Sequence, residues 1–204
     1  MSGEPKTVTF GVIADTHVPD RAKHLQPEIL ETFKACCVEH ILHAGDASSW
    51  NVVRELEVIA PVTIVQGNRD ILFGMQLPKY QILWVNNLKI VLAHGHRSFL
   101  HYLVDKLSYF REGYRFDRYY QQLHQDYPDA DMIVFGHTHH QTASWVDGQL
   151  LFNPGVAYPC HYNNFKPQFG MLSITAEGLI RTRFFGPKNV IRDKRKRLSA
   201  SNEI

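Results

Sequence analysis

The stretch TVTFGVIADTHVPD (residues 7–20) decides the fold, because an apolar run ends abruptly in polar side chains. Residues 7–14 are rich in β-branched side chains, which is typical of a buried strand. Asp15 and His17 follow this strand directly. Comparable apolar runs that end at polar loops recur at residues 40–44, 61–66 and 131–136.

Helical patterns separate the early strands. Residues 26–40 carry apolar side chains at helical spacing after a proline, and residues 48–59 begin with two serines that predict an N-cap. Beyond residue 79 the pattern changes to hairpins, with turns predicted at Asn86-Asn87 and at Asp147-Gly148. These alternating patterns predict an α/β sandwich with parallel and antiparallel strands.

The composition is that of one globular domain. The chain has 204 residues, of which 44% are hydrophobic and 21% charged. No apolar run reaches the roughly 20 residues of a membrane span, and the N-terminus lacks a signal pattern. Three cysteines without CxxC spacing indicate neither a disulfide framework nor a thiolate zinc site. We therefore expect a cytoplasmic protein without membrane contact.

The charge is concentrated near the C-terminus. Residues 188–197 hold six Lys or Arg residues and one Asp, whereas the net charge of the chain is +2. We predict a single domain over residues 1–187 and a poorly ordered, solvated basic tail over residues 188–204. Nucleic-acid binding by this tail is the alternative. The aromatic-rich residues 98–127 are predicted to be helical, with an interruption at Gly113.

Residue types that bind metal ions follow five of the predicted strands. They are Asp15, His17, Asp46, Asn68, His94, His137 and His139. Loops at the carboxyl ends of strands in open α/β sheets gather at one crevice, so these side chains are expected to be neighbours. Seven mixed oxygen and nitrogen ligands exceed the need of one ion, yet suffice for two if a carboxylate bridges them.

Five short motifs occur in a fixed order: DTH (15–17), GD (45–46), GNRD (67–70), HGH (94–96) and GHTH (136–139). In this order the chain resembles the calcineurin-like metallophosphoesterases, and in its length and its NPG sequence (153–155) the small YfcE-like bacterial and archaeal phosphodiesterase branch. The resemblance implies an αββα sandwich, in which two mixed β-sheets are flanked by helices.

The resemblance also implies a ligand assignment and an activity. Asp15, His17 and His139 would hold one ion, and Asn68, His94 and His137 the other, with Asp46 bridging. Two divalent transition-metal ions are expected, Mn²⁺ first, with Fe, Zn, Co or Ni as alternatives. A metal-bridging hydroxide would attack phosphate esters in line, phosphodiesters ahead of monoesters.

The third motif departs from the family at Arg69, where many members carry histidine. Arginine does not act as a general acid at neutral pH, but it can bind phosphate oxygens. Asp70 either orients Arg69 or caps the next turn, and both roles stay open. His96 either faces the phosphate or supports its loop. We expect Arg69, Asp70 and His96 to be the catalytic residues.

Two other function classes stay open. One is a non-catalytic protein-interaction scaffold on the same fold, and the other is a nuclease that uses the basic tail. The full set of seven competent ligands favours the enzyme over the scaffold. A homo-oligomer is compatible with the sequence, and the physiological substrate is not specified by it.

Overall fold

The computed structural model describes residues 6–95 and 116–187. Within these ranges the strands are β1 (Val8–Ile13), β2 (His40–His43), β3 (Val62–Ile64), β4 (Tyr80–Val85), β5 (Leu88–Ala93), β6 (Met132–Val134), β7 (Thr142–Val146), β8 (Gln149–Asn153), β9 (Phe169–Ile174) and β10 (Ile180–Phe185). The helices are α1 (Pro27–Ala35), α2 (Trp50–Glu57), α3 (Asn68–Leu72) and α4 (Phe116–Asp126), with a 3-10 helix at His161–Asn163.

The strands form two mixed five-stranded sheets. The first has the order β10-β9-β1-β2-β3, with β1, β2 and β3 parallel and β9 and β10 antiparallel. The second has the order β4-β5-β6-β8-β7, with β5, β6 and β8 parallel and the two edge strands antiparallel. Each sheet therefore carries three adjacent parallel strands, which lie on one side of the first sheet and at the centre of the second, and within each set the carboxyl ends point the same way.

Successive side chains of a strand point to opposite faces of its sheet, and this alternation separates the core between the sheets from the helix-covered outer faces. On β1, Phe10 and Val12 face a core shared with the second sheet, whereas Ile13 packs with α1 and α2 on the opposite face. On β5, Leu92 lies in the shared core and Val91 packs on the side of α4. The result is the predicted αββα sandwich of two mixed sheets flanked by helices.

Both turns predicted for the hairpins are present. Asn86 and Asn87 have φ angles of 47° and 65° between β4 and β5, and Asp147-Gly148 joins β7 to β8 with φ angles of 50° and 80°. Positive φ at both central residues is what a type I′ two-residue hairpin turn requires. Strands β1, β2, β3 and β6 are one to three residues shorter than the apolar runs that predicted them, because these runs continue into the loops.

Some local expectations require correction or lie outside the described residues. Ser49 occupies the N-cap of α2, but its hydroxyl makes no capping hydrogen bond. His96, residues 98–115 with Gly113, and the tail 188–204 lie outside the described ranges. The helical prediction for residues 98–127 is met over Phe116–Asp126. No helix in the described part is long and apolar enough to cross a membrane.

Candidate metal centre

The predicted ligands lie at the edge where the parallel strands of both sheets end. Three potential ligand atoms lie within 4.8 Å of one another, one each from Asp15, His17 and His139. The same holds for Asp15, Asp46 and His94. Asp15 thus belongs to both groups, and the loops after β1, β2, β5 and β6 converge on it.

The remaining two predicted ligands join the second group through His94 and each other. The rings of His94 and His137 lie 5.2 Å apart, and the side-chain nitrogen of Asn68 is 3.3 Å from His137 Nδ1. The structure therefore brings all seven residues to one place, although they are spread over 125 positions of the sequence.

Left-handed backbone conformations concentrate at this place. Five of the seven residues have positive φ angles: Asp15 (53°), His17 (49°), Asp46 (60°), His137 (67°) and His139 (58°). Such a conformation costs a non-glycine residue about 1–3 kcal/mol and persists only where the surroundings enforce it. Clustered strain of this kind is typical of functional sites.

Two glycines permit the close approach of these loops. A Cβ atom on Gly67 would lie 2.1 Å from Asp46 Oδ1, so only glycine lets the third loop pass beside that carboxylate. Gly45 has a φ of +87°, and a Cβ there would lie 2.7 Å from His94 Nδ1. The glycines of the GD and GNRD motifs are thus required by the packing around Asp46 and His94.

Asp46 lies between imidazoles that belong to different predicted ions. Its Oδ1 accepts a 2.7 Å hydrogen bond from the backbone N–H of Arg69. Its Oδ2 is 3.6 Å from His17 Nε2 and also 3.6 Å from His94 Nε2. Burial raises the pKa of Asp46 to about 6, with His94 opposing and Asp15 adding to the shift. Without a cation, this carboxylate is held in a place that disfavours its charge.

The other carboxylate behaves in the opposite way. Burial alone would raise the pKa of Asp15, but the imidazole of His139, 3.3 Å from Oδ1, outweighs it together with His94 and His17. The pKa of Asp15 is therefore lowered. Its Oδ2 accepts a 3.1 Å hydrogen bond from the backbone N–H of His137, which fixes the carboxylate against the GHTH loop.

Two of the imidazoles present Nε2 toward the centre. His94 Nδ1 donates a 2.7 Å hydrogen bond to the carbonyl of Ala44, so Nε2 is the nitrogen that faces Asp46. Burial opposes protonation of His94, but the carboxylates of Asp46 and Asp15 raise its pKa overall. Burial lowers the pKa of His17 to about 3 despite the opposing Asp15. A neutral His17 is the form that binds a metal ion.

The donor atoms fit divalent transition metals. Asn68 Oδ1 and both ring nitrogens of His17 are buried without a hydrogen-bond partner among the described residues. Burial of such atoms costs free energy of folding unless a bound group, such as a metal ion, interacts with them. Carboxylate, amide and imidazole groups together suit ions of intermediate hardness, such as Mn²⁺, Fe²⁺ and Zn²⁺. The residues present are therefore a competent metal-binding set.

Asp70 holds the first-sheet loops together. Its buried carboxylate accepts hydrogen bonds from the backbone N–H groups of Asp46 (2.9 Å), Ser48 (2.8 Å) and Gly67 (2.7 Å). The last of these caps α3, which is one of the two roles left open by the sequence. The carboxylate that faces the Arg69 side chain is Asp20, whose Oδ2 lies 3.4 Å from Arg69 Nε.

Sequence reasoning missed three residues beside the site. Asp20, Arg21 and Tyr158 form a group in which Arg21 donates a 2.7 Å hydrogen bond to the Tyr158 hydroxyl. The Tyr158 ring meets the His17 ring edge-on at 5.0 Å. The available signal was the pair of opposite charges at Asp20-Arg21, three residues after His17 in DTHVPDR.

Asn153 both forms a turn and contacts the GHTH loop. Its Oδ1 accepts from the backbone N–H of Gly155 (2.9 Å), as in an Asx turn. Its Nδ2 also donates to the carbonyl of Gly136 (2.7 Å) and to Thr138 Oγ1 (3.1 Å). Asn153 therefore supports the loop that carries His137 and His139.

Comparison with known proteins agrees with this geometry. The family model described as the calcineurin-like phosphoesterase superfamily domain matches residues 8–177. A probable metallophosphoesterase of Methanothermobacter thermautotrophicus is 34% identical over 152 residues, which cover 72% of this chain and 75% of the relative.

Solved structures with the same fold include a vacuolar protein sorting protein and a phosphodiesterase. Vacuolar protein sorting 29 of Cryptosporidium parvum has a TM-score of 0.64 at 20% identity, covering 89% of this chain and all of that one. An archaeal phosphodiesterase has a TM-score of 0.54 at 23% identity, covering 87% of this chain and all of that one. At these identities the likeness shows the fold alone. By the match over residues 8–177 and the identity to its relative, the chain belongs to the calcineurin-like phosphoesterase superfamily.

Proposed function

We propose that this chain is a dinuclear-metal-dependent phosphoesterase that hydrolyses phosphodiesters. The observation that carries the proposal is the position of Asp46 Oδ2, 3.6 Å from both His17 Nε2 and His94 Nε2. One carboxylate oxygen that faces an imidazole on each side is suited to bridge two cations, which two-metal hydrolases hold about 3.5–4 Å apart.

The other ligands divide between the two ions by their neighbours. Asp15, His17 and His139 form the first set, in keeping with their mutual approach. Asn68, His94 and His137 form the second set, in keeping with the contacts of His137 to the other two. Two divalent transition-metal ions are the cofactors we propose, with Mn²⁺ the first choice to test.

When bound, the cations lower the pKa of water toward neutrality and offset negative charge on the phosphoryl oxygens. The chain supplies the geometry. The hydrogen bonds of Asp70 fix the loops of Asp46 and Gly67, and Asn153 fixes the loop of His137. Asp70 thus acts by positioning other residues, and we assign it no contact with substrate. The catalytic role of His96 stays a prediction from the sequence.

Arg69 favours a diester substrate with a good leaving group. The Arg69 guanidinium and that of Arg21 both face Asp20 Oδ2, and we call this pair of arginines the rim of the site. The Arg69 side chain is 30% exposed. A guanidinium attracts an anionic phosphate, but it does not protonate the departing oxygen. General acid catalysis is worth about 10²–10⁴-fold, so esters with poor leaving groups should react slowly.

A screen of metals against substrates tests the proposed activity. Chelator-stripped protein reconstituted with Mn²⁺, Fe²⁺, Co²⁺, Ni²⁺ or Zn²⁺ is assayed on bis(4-nitrophenyl) phosphate, 4-nitrophenyl phosphate and an alkyl diester. We expect turnover of the aromatic diester with at least one ion. Asp46→Asn should abolish most of it, whereas Asp129→Asn, an exposed carboxylate on the surface, should not. Inactivity with every ion would refute the proposal.

The role of Arg69 has its own test. Arg69→Ala should raise the KM for bis(4-nitrophenyl) phosphate by about tenfold or more, since a charge-assisted hydrogen bond is worth about 1.5–3 kcal/mol. Arg54→Ala, which removes an exposed arginine of α2, is the matched control. Equal KM values for the wild type and Arg69→Ala would exclude a phosphate contact.

A scaffold function is the second candidate. The edge strand β4 exposes Tyr80, Ile82 and Trp84 on one face, which is an unusual concentration of apolar surface. The likeness to vacuolar protein sorting 29 supports the candidate through the fold alone. The complete ligand set favours the enzyme, and the metal screen separates the two functions. Neither a nuclease activity nor a homo-oligomer has support from the described residues.

A further inference from the structure

A buried carboxylate oxygen outside the seven predicted ligands faces three nitrogen atoms. Asp20 Oδ2 lies 3.4 Å from Arg69 Nε, 3.6 Å from His17 Nδ1 and 3.7 Å from Arg21 Nε. The Asp20 side chain is 19% exposed, and Oδ2 itself is buried without a hydrogen bond to the described residues. An oxygen in this situation needs the surrounding positive charge and donors, because burial of an unpaired carboxylate is costly.

The orientation of the His17 ring gives Asp20 a role at the metal centre. His17 Nε2 faces Asp15 Oδ1 at 3.8 Å and Asp46 Oδ2 at 3.6 Å, so it is the nitrogen available to an ion. Nδ1 must then carry the hydrogen, and its facing oxygen is Asp20 Oδ2. The separation exceeds a hydrogen bond by about half an ångström, which a small rotation of either side chain removes. Carboxylates in this position fix the tautomer and the orientation of metal-binding histidines.

The same carboxylate stands between the two arginines of the rim. The backbone of Arg69 is fixed by its hydrogen bond to Asp46 Oδ1, and the side chain of Arg21 by its hydrogen bond to the Tyr158 hydroxyl. Two guanidinium groups around one carboxylate leave a single net positive charge beside the centre. That charge matches the single negative charge of a phosphodiester.

We infer that Asp20 is a positioning residue that couples the metal centre to the substrate rim: one carboxylate oxygen orients His17 toward the ion and holds Arg69 and Arg21 where the phosphodiester enters. The inference rests on the proposed function. It makes metal affinity and diester binding depend on a residue that contacts neither the ion nor the reacting atoms.

Calorimetric titration of chelator-stripped protein with Mn²⁺ tests the metal half. Loss of a carboxylate behind a metal-binding histidine costs about 10–100-fold in affinity. We expect Asp20→Ala to weaken one of two Mn²⁺ sites by this factor and to leave the other unchanged. Asp129→Ala is the control, because Asp129 is 84% exposed and lies 3.9 Å from a single lysine, Lys89.

Asp20→Asn tests the arginine half. Its amide oxygen can still accept a hydrogen bond from His17 Nδ1, but it no longer carries the charge that attracts Arg69 and Arg21. We expect nearly wild-type Mn²⁺ affinity, together with a raised KM for bis(4-nitrophenyl) phosphate. This split would not arise from a general loss of structure, and it remains measurable if Asp20→Ala fails to fold.

The outcomes are distinguishable. Wild-type protein that binds no Mn²⁺ and shows no activity overturns the proposed function, and this inference with it. Wild-type binding of two ions, with Asp20→Ala unchanged in affinity, overturns the inference alone. An unchanged KM for Asp20→Asn overturns the assignment of Asp20 to the arginine rim.

Discussion

The loops of the two sheets hold their predicted ligands in different ways. The first-sheet loops (residues 14–20, 44–49 and 65–70) are joined directly to one another by backbone hydrogen bonds. These are Asp15 N–H to Gly45 O (3.0 Å), His17 N–H to Asp46 O (3.0 Å) and Val18 N–H to Ala47 O (3.1 Å). Asp70 adds its three buried hydrogen bonds.

The second-sheet loops (residues 94–95 and 136–141) share one backbone hydrogen bond, from Gly136 N–H to His94 O (3.3 Å), and residues 136–141 are further held by side chains from elsewhere. Asn153 binds the backbone of Gly136, and the Asp15 carboxylate binds the backbone N–H of His137. His139 is half-buried, whereas His17, which we assign to the same ion, is fully buried. The difference teaches that the first-sheet loops are part of the folded core, as is the buried His94, whereas residues 137–141 form a more exposed wall of the site.

The largest expected effect concerns the two side chains that anchor these loops. Asp70 and Asn153 each make three hydrogen bonds to loop residues, but only Asp70 is charged. Asp70→Ala leaves three buried N–H groups unsatisfied and should lower the free energy of unfolding by roughly 3 kcal/mol or more. Asn153→Ala should cost about 2 kcal/mol, since its bonds are neutral. Urea unfolding of metal-free protein measures both, and a larger loss for Asn153→Ala would break the comparison.

The next effect is a dependence of stability on pH, which arises at His43 beneath the first-sheet loops. Burial lowers the pKa of His43 to about 4, with Asp70 and Asp15 opposing, and its Nε2 lies 3.2 Å from Thr16 Oγ1. Between pH 6.5 and 4 the unfolded chain binds a proton at this histidine and the folded chain does not. The stability that His43 contributes is therefore complete above pH 6.5 and is lost as the pH falls toward 4.

Because of this histidine, we expect the free energy of unfolding to fall by about 2 kcal/mol when the pH is lowered from 7 to 5. Urea titrations of metal-free wild type and His43→Asn at both pH values give the change in the free energy of unfolding for each protein. The difference between these two changes is the contribution of His43. His24→Asn, at an exposed position, serves as the control. Parallel pH profiles for wild type and His43→Asn would contradict the assignment.

The smallest effect on stability separates the two histidines assigned to one ion. His139→Ala should change the free energy of unfolding by less than about 1 kcal/mol, because its side chain is partly exposed. His17→Ala should cost about 2 kcal/mol or more, because it empties a buried position. Both should weaken the same Mn²⁺ site in calorimetric titrations. Equal losses of stability would mean that the two sets of loops are equally integrated.

Much of the fold was predictable because its signals are local. The apolar run of residues 7–14 and the turns at Asn86-Asn87 and Asp147-Gly148 each depend on neighbours in sequence. The Ser49 cap failed as a prediction because a suitable residue at the N-cap does not ensure that its hydroxyl reaches the backbone. The ends of several strands differ from those predicted for another reason: a strand ends where its neighbouring strands stop pairing with it, and the sequence run does not show that point.

The sequence by itself determined which residues could bind metal and in which loops they lie, because each follows its own apolar strand and the carboxyl ends of such strands meet. Only the tertiary structure decided the roles of their supports. The hydrogen bonds of Asp70 span up to 24 positions, and the contact of Asp20 with Arg69 spans 49 positions. VQGNRD (residues 65–70) contains both a predicted ligand and the anchor Asp70, but nothing in its own letters shows that the partner of Arg69 lies in DTHVPD. Contacts of this kind depend on how two loops are juxtaposed, and the order in which β1, β2 and β3 pair in the first sheet decides that.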